Sequence, residues 1–289
     1  MSLVETFEVI SPSIVALASR LVPKIEGVNP VFPWIIGTGF VVDSRGIIAT
    51  NDHVIQELVK LPKHPTKGPA AMALVPVRTK DERGDAMGYV MTEIRAHWSL
   101  TEFTAPGPYY GQMNPDFGFI QLDACELPPL KLSTEGDALQ VGMPVATAGY
   151  PLGTSAITVF GQVNQAMPFL RHGIVSSMFP FPTKHPHGFT IDVMSQHGAS
   201  GSPIFRTDTP EVVGILYGGL PNHKGESTNI TLGVPSEILA FGLDALFKSQ
   251  KIEFEGVPTF AQVFKDADKS GDLKWETITV KREIPKAGT

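Results

Sequence analysis

The sequence predicts an all-β protein, on three observations. Short apolar runs recur along the chain, bounded by glycine, proline, serine and asparagine turns. The 28 glycines and 25 prolines supply the many turns that short strands require. The runs also fall into two sets, parted by Pro128-Pro129.

Taken in order, Ser11-Pro12-Ser13 followed by Ile14, Val15, Leu17, Leu21 and Val22 reads as a capped short helix packed on the first set. Strand-like runs follow at 35–42, 47–50, 73–77, 88–97 and 117–122. The second set lies at 130–132, 144–149, 157–163, 172–177, 188–194, 203–206, 212–218 and 230–234. After Pro235-Ser236, the spacing of Ile238, Leu239, Phe241, Leu243, Leu246 and Phe247 fits an amphipathic helix that closes the fold. Three regions result: 1–127 with the N-terminal helix and first strand set, 128–249 with the second set and closing helix, and a tail at 250–289.

Composition narrows the function. With 42% hydrophobic and 18% charged residues over 289 positions, the chain is a globular protein with a substantial core. A net charge of −6 leaves no basic footprint, which disfavours a nucleic-acid partner. Cys125 stands alone, so no intrachain disulfide forms, and it is expected at a core or edge position as a buried structural thiol and not a reactive one. Val9 to Val22 is broken by Ser-Pro-Ser and preceded by Glu5 and Glu8, unlike a signal peptide. No apolar segment is long enough to span a membrane. The expected location is cytoplasmic, or periplasmic or secreted if a leader has been removed.

Gly198-Ala199-Ser200-Gly201-Ser202-Pro203 is the most informative segment. Alone it reads as a small-residue turn. It also has the form of a serine nucleophile on a tight turn, where flanking glycines let backbone N–H groups face a developing oxyanion. A serine needs a base and the base needs an orienting carboxylate. His53 ends the strand-like Ile47 to Thr50 hairpin, and Asp116 precedes the apolar run Phe117 to Leu122, where a carboxylate is costly without a partner such as a histidine N–H.

The order His53, Asp116, Ser200 is that of the chymotrypsin triad. Gly37-Thr38-Gly39-Phe40-Val41-Val42, Thr50-Asn51-Asp52-His53-Val54, Asp116-Phe117-Gly118-Phe119-Ile120, Gly149-Tyr150-Pro151-Leu152-Gly153, Gly173-Ile174-Val175-Ser176 and the Ser200 turn follow one another as in trypsin-like serine peptidases. They are most similar to the protease domain of the HtrA/DegP branch, over roughly residues 10 to 245. The resemblance implies a chymotrypsin-like fold of two six-stranded antiparallel β-barrels, with catalytic His53, Asp116 and Ser200 and an oxyanion hole from the Gly198 and Ser200 N–H groups. No cofactor or metal is implied. Protein or peptide substrates are the expected partners, with homo-oligomers common among HtrA relatives.

Two positions depart from the family. Ala199 replaces the aspartate of digestive trypsins that pairs with a newly cut N-terminus, so the resemblance implies an enzyme folded active or regulated by loop order. Ser202 stands where glycine is usual, and its side chain must fit beside the turn. Under the resemblance Met194 forms the base of the primary pocket, with Ser195 beside it, His197 a cleft wall, and Val213 to Gly219, including Leu216 and Tyr217, the opposite wall. With no acid at Met194, cleavage after small or medium apolar residues is expected. Asp192 is expected to be structural.

Other features carry rival readings. His185-Pro186-His187 supplies half a metal site. Ser99 to Pro115 and Met178 to Gly188 are loops that either shape the cleft or are inert excursions. The tail after Phe247 is expected to hold no PDZ domain. Its Asp266 to Leu273 stretch resembles the opening of an EF-hand loop but has Thr277 where the closing glutamate belongs, and reads better as a polar turn. The rival function is a trypsin-like fold without activity, serving as a protein-binding module.

Overall fold

The computed structural model describes residues 1–20, 34–63, 70–81, 84–100, 115–134, 139–151, 153 and 167–270. The strand expected at 157–163, most of the Ser99 to Pro115 connection and the tail beyond Ser270 lie outside these residues. Strands β1 (Ile14–Ser19), β2 (Trp34–Asp43), β3 (Ile47–Thr50), β4 (Ala71–Asp81), β5 (Gly84–Ser99) and β6 (Gly118–Leu122) close a barrel in the order β1-β2-β3-β6-β5-β4. The second sheet contains β7 (Lys131–Leu132), β8 (Pro144–Gly149), β9 (Phe169–Phe179), β10 (Gly188–Ile191), β11 (Pro203–Arg206), β12 (Glu211–Pro221) and β13 (Ser227–Pro235). Its order β11-β8-β9-β10-β13-β12 closes into a second antiparallel barrel through the β11–β12 pairing, and β7 adds to β12 in parallel.

The expected helix at Ser11 to Val22 is corrected. Helix α1 lies earlier, at Leu3–Ile10, started by a capping box in which the Ser2 N–H donates to Glu5 Oε2 (2.7 Å) and the Glu5 N–H to Ser2 Oγ (3.3 Å). Ser11–Ser13 forms one 3₁₀ turn, and Ile14–Ser19 is strand. The reason is burial on both faces: Val15 and Leu17 enter the first barrel's core, while Ile14, Ala16 and Ala18 enter the apolar cluster shared with the second barrel. A strand buried on both faces shows no alternation, so its apolar run mimics a helix segment.

That shared cluster joins Phe40, Phe117 and Phe119 of the first barrel to Ala146, Tyr150, Phe205 and Ile215 of the second. Each buried phenylalanine contributes about 3 kcal/mol of transfer free energy. Helix α2 (Asp52–Val59), absent from the sequence reading, follows β3 directly and buries Val54, Ile55 and Leu58 in the first barrel's cluster. Helix α3 (Ser236–Ser249) forms where expected, burying Ile238, Leu239 and Leu246. Among the described residues, no helix is long and apolar enough to cross a membrane.

After α3 the chain runs back over the first barrel. Gln121 Nε2 donates to Glu253 O (2.9 Å), the Cys125 N–H to Pro258 O (2.9 Å) and the Phe260 N–H to Cys125 O (2.7 Å). Cys125 is therefore half-buried at a clip, not in the core. Helix α4 (Phe260–Ser270) follows, so Asp266 to Ser270 is helical, and the rest of the Asp266 to Leu273 stretch lies outside the described residues. Phe260 anchors the helix on the first barrel's cluster.

Arg45, in the β2–β3 turn, fastens this return segment. Its guanidinium carbon lies 4.5 Å from the Phe247 ring centroid and 4.4 Å from that of Phe254, while Nε and Nη2 donate to Asp43 at 2.7 and 2.8 Å. The hydrogen bonds from Arg45 hold the Asp43 carboxyl below its usual range. Arg45→Ala is expected to destabilise the fold by about 1 kcal/mol, with Arg45→Lys recovering only part, measured by chemical denaturation.

Candidate active site

Asn51 is the N-cap residue of α2, and its side chain turns away from the helix to donate from Nδ2 to Asp116 O at 2.7 Å. Asp116 sits just before β6, above the buried Phe117. One carboxylate oxygen, Oδ1, accepts the His53 backbone N–H in the first turn of α2 (3.1 Å), and Oδ2 lies 2.5 Å from His53 Nδ1. Holding both the amide and the ring of one residue fixes the imidazole plane. With its proton on Nδ1, the neutral ring presents Nε2 as the acceptor. The hydrogen bond to Asp116 raises the His53 pKa above 6.5, against the lowering effect of burial. His53 thus sits in the first turn of a helix, not at the end of a hairpin strand.

Ser200 lies on a turn held at both ends. The Ala199 N–H donates to Gln196 O (3.0 Å), closing a β-turn whose third residue, Gly198, has φ +88°, as type II geometry requires. A Cβ on Gly198 would also stand 2.3 Å from Tyr150 O. Beyond the serine, the Ser202 N–H and Oγ both donate to Ala199 O, at 3.1 and 2.6 Å. The Gly198 and Ser200 N–H groups find no acceptor among the described residues. Ala199 packs in the second barrel's core, so the turn stands without an ion pair at that position.

Ser202 fits because Gly149 faces it: a Cβ on Gly149 would lie 1.9 Å from Ser202 Oγ. Thr38, fully buried on β2, ties this turn to the first barrel. Its N–H donates to Ser200 O (2.8 Å) and its hydroxyl donates to Gly198 O (2.7 Å) and accepts from the Tyr150 N–H (3.1 Å). Its own carbonyl accepts the Thr50 hydroxyl (2.7 Å), three residues before His53. No hydrogen bond joins His53 to Ser200 among the described residues.

The expected pocket residues separate. Ser195 faces Gly219 closely enough that a Cβ on Gly219 would lie 3.7 Å from Ser195 Cβ. Met194 is 40% exposed and His197 is exposed. Leu216 is corrected: its side chain is fully buried in the second barrel's core, and only its main chain reaches the turn, accepting from the Gly201 N–H and donating to Ser202 O (both 2.9 Å). Strand alternation sends Leu216 inward and leaves Tyr217 half-buried, where burial and then the Asp116 charge raise its pKa. Asp192 Oδ1 accepts the Ile174 N–H at 2.6 Å, and His185 pairs with Glu237 at 2.9 Å. Thr38, Asn51 and Arg171 were not singled out by their types. A lone polar residue between two glycines in an apolar run was the available signal for Thr38.

Because Asp116 raises the His53 pKa, the ring is expected to titrate above 6.5 by NMR. Asp116→Asn is expected to bring that titration down.

Residues 37–215 match the trypsin-like peptidase domain family. A probable periplasmic serine endoprotease DegP-like of Marinomonas sp. (strain MWYL1) is 24% identical over 217 residues, 75% of this chain but 36% of that protein. Among solved structures, the HtrA-type protease AlgW with a decapeptide superposes at a TM-score of 0.53 and 14% identity, covering 86% of this chain and 68% of that one. Deg5 does so at 0.52 and 19% identity, covering 86% and 95%. With more than half its length matched, and two closed antiparallel barrels, the chain belongs to the trypsin-like peptidase domain family.

Proposed function

We propose that this chain is a serine endopeptidase with Ser200 as nucleophile, His53 as base and Asp116 as orienting acid. The observation that carries the reading is the double hold of Asp116 on the amide and ring of His53, linked through Thr50 and Thr38 to the Ser200 turn. In this mechanism Ser200 Oγ attacks the peptide carbonyl carbon while His53 Nε2 takes the hydroxyl proton. The carbonyl oxygen becomes an oxyanion facing the Gly198 and Ser200 N–H groups. Collapse breaks the C–N bond, His53 returns the proton to the leaving amine, and water hydrolyses the acyl-enzyme by the same route. The open His53–Ser200 link is the kind that tightens once substrate is bound.

The short span between Ser195 and Gly219 favours small side chains in the primary pocket, in keeping with the absence of an acid at Met194. Protein or peptide substrates, and assembly into homo-oligomers, are carried over from the HtrA likeness. The relative's name places that protein in the periplasm, and we carry over the periplasmic location in place of the cytoplasmic one.

A fluorophosphonate probe is expected to label Ser200, with labelling lost in Ser200→Ala and reduced at least about 10³-fold in His53→Ala. An unlabelled chain with an intact fold favours the binding module. Digests of a peptide library are expected to show small or medium apolar residues before the cut. A profile dominated by Arg, Lys or Glu overturns that preference.

A further inference from the structure

We infer that Arg171 is a positioning residue that sets the primary pocket and the oxyanion turn by clamping Met194 and Gln196. The inference rests on the reading of Ser200 as nucleophile. Arg171 lies on β9, paired with Thr147 of β8, and is half-buried. Its Nη1 donates to Met194 O, and its Nη2 to Gln196 Oε1 at 3.0 Å. Among the described residues it has no carboxylate partner, and its guanidinium donates to a main-chain carbonyl and a side-chain amide.

Among the described residues, the clamp falls where the main chain has few other hydrogen bonds. Strand β10 ends at Ile191, and the Val193 carbonyl is held by the Thr231 hydroxyl. The next main-chain anchor is the Ala199 N–H on Gln196 O, the bond that closes the turn containing Gly198. Between them, residues 194–196 are tied to the second barrel through Arg171. A planar fork with two separated donors reaches a carbonyl and an amide two residues apart, which the single ammonium of lysine does not do with the same geometry. Gln196 couples the two ends: its side chain receives Arg171 while its carbonyl receives Ala199. Releasing the guanidinium therefore loosens the pocket wall beside Ser195 and the N–H of Gly198 together.

The test compares Arg171→Met, Arg171→Lys and Gln196→Met with the parent chain. Arg171→Met is expected to slow phosphonylation of Ser200 by a fluorophosphonate, with loss of fluoride, roughly tenfold, less than deletion of an oxyanion donor, because the donor is misplaced and not removed. With peptide substrates kcat falls more than KM rises, and the melting temperature stays within about 2 °C. Added guanidinium ion restores part of the rate, and Arg171→Met with Gln196→Met is no slower than Arg171→Met alone. An unchanged phosphonylation rate, strict additivity, or a loss that follows melting temperature without guanidinium rescue overturns the inference. If Arg171→Met does not fold, Arg171→Lys and Gln196→Met carry the same comparison. If the parent chain itself fails to label, the nucleophile reading fails by itself. Hydrogen exchange then judges the clamp: faster exchange of the 195–199 amides in Arg171→Met supports it, and unchanged exchange overturns it.

Discussion

The buried threonine between the barrels is the constraint on which the site depends. The proposed nucleophile, Ser200, belongs to the second barrel, while His53 and Asp116 belong to the first, and groups that act together in catalysis must meet within a fraction of an ångström. Apolar contact between Phe40, Phe117, Phe205 and Ile215 holds the barrels together, but hydrophobic attraction has no direction and sets no register. Thr38 does set it, with hydrogen bonds to Ser200, Gly198 and Tyr150 from one side and Thr50 from the other. Each is buried, so any slip between the barrels leaves an unpaired polar group at a cost of about 1–3 kcal/mol.

The same logic explains what surrounds the turn. Gly149 lacks the side chain that would collide with Ser202, and Ser202 uses the space to fix Ala199 O. Where trypsin-like digestive enzymes tie this position with an aspartate, here the carbonyls of Gly198, Ala199 and Ser200 are each taken by a hydroxyl or an amide. Among the described residues this turn is held by neutral hydrogen bonds and not by an ion pair. Its order depends instead on the packing of β2 against β8 and on support from the residues before it.

The family likeness and most strands were legible in the sequence because their signals are local: short motifs and apolar runs bounded by glycine and proline. What escaped was non-local. The β1 segment looked helical because both its faces are buried, and the inward turn of the Leu216 side chain could not be read from a motif that expected the whole Val213 to Gly219 run to line one wall. Helix α2 announced itself only through Val54, Ile55 and Leu58, too short a pattern to separate from a strand end. The contacts of Arg171 lie 23 and 25 residues away, and those of Arg45 with Phe247 and Phe254 lie 202 and 209 residues away. No spacing rule reaches such pairs.

Asp116 links folding to chemistry most directly. Its carboxylate receives an amide of the first turn of α2, whose positive end favours it, and also the ring of His53. The raised His53 pKa then has two opposite consequences. Protonated His53 is stabilised in the folded state, so its contribution to stability is complete below pH 6.5 and fades as pH rises through the higher folded value. The proposed base, by contrast, exists only once that proton has left. Between pH 6.5 and the folded value the proposed base therefore gains competence as the site gives up stability, while the neutral ring stays on Asp116 and the barrel contacts through Thr38, which do not titrate, keep the geometry.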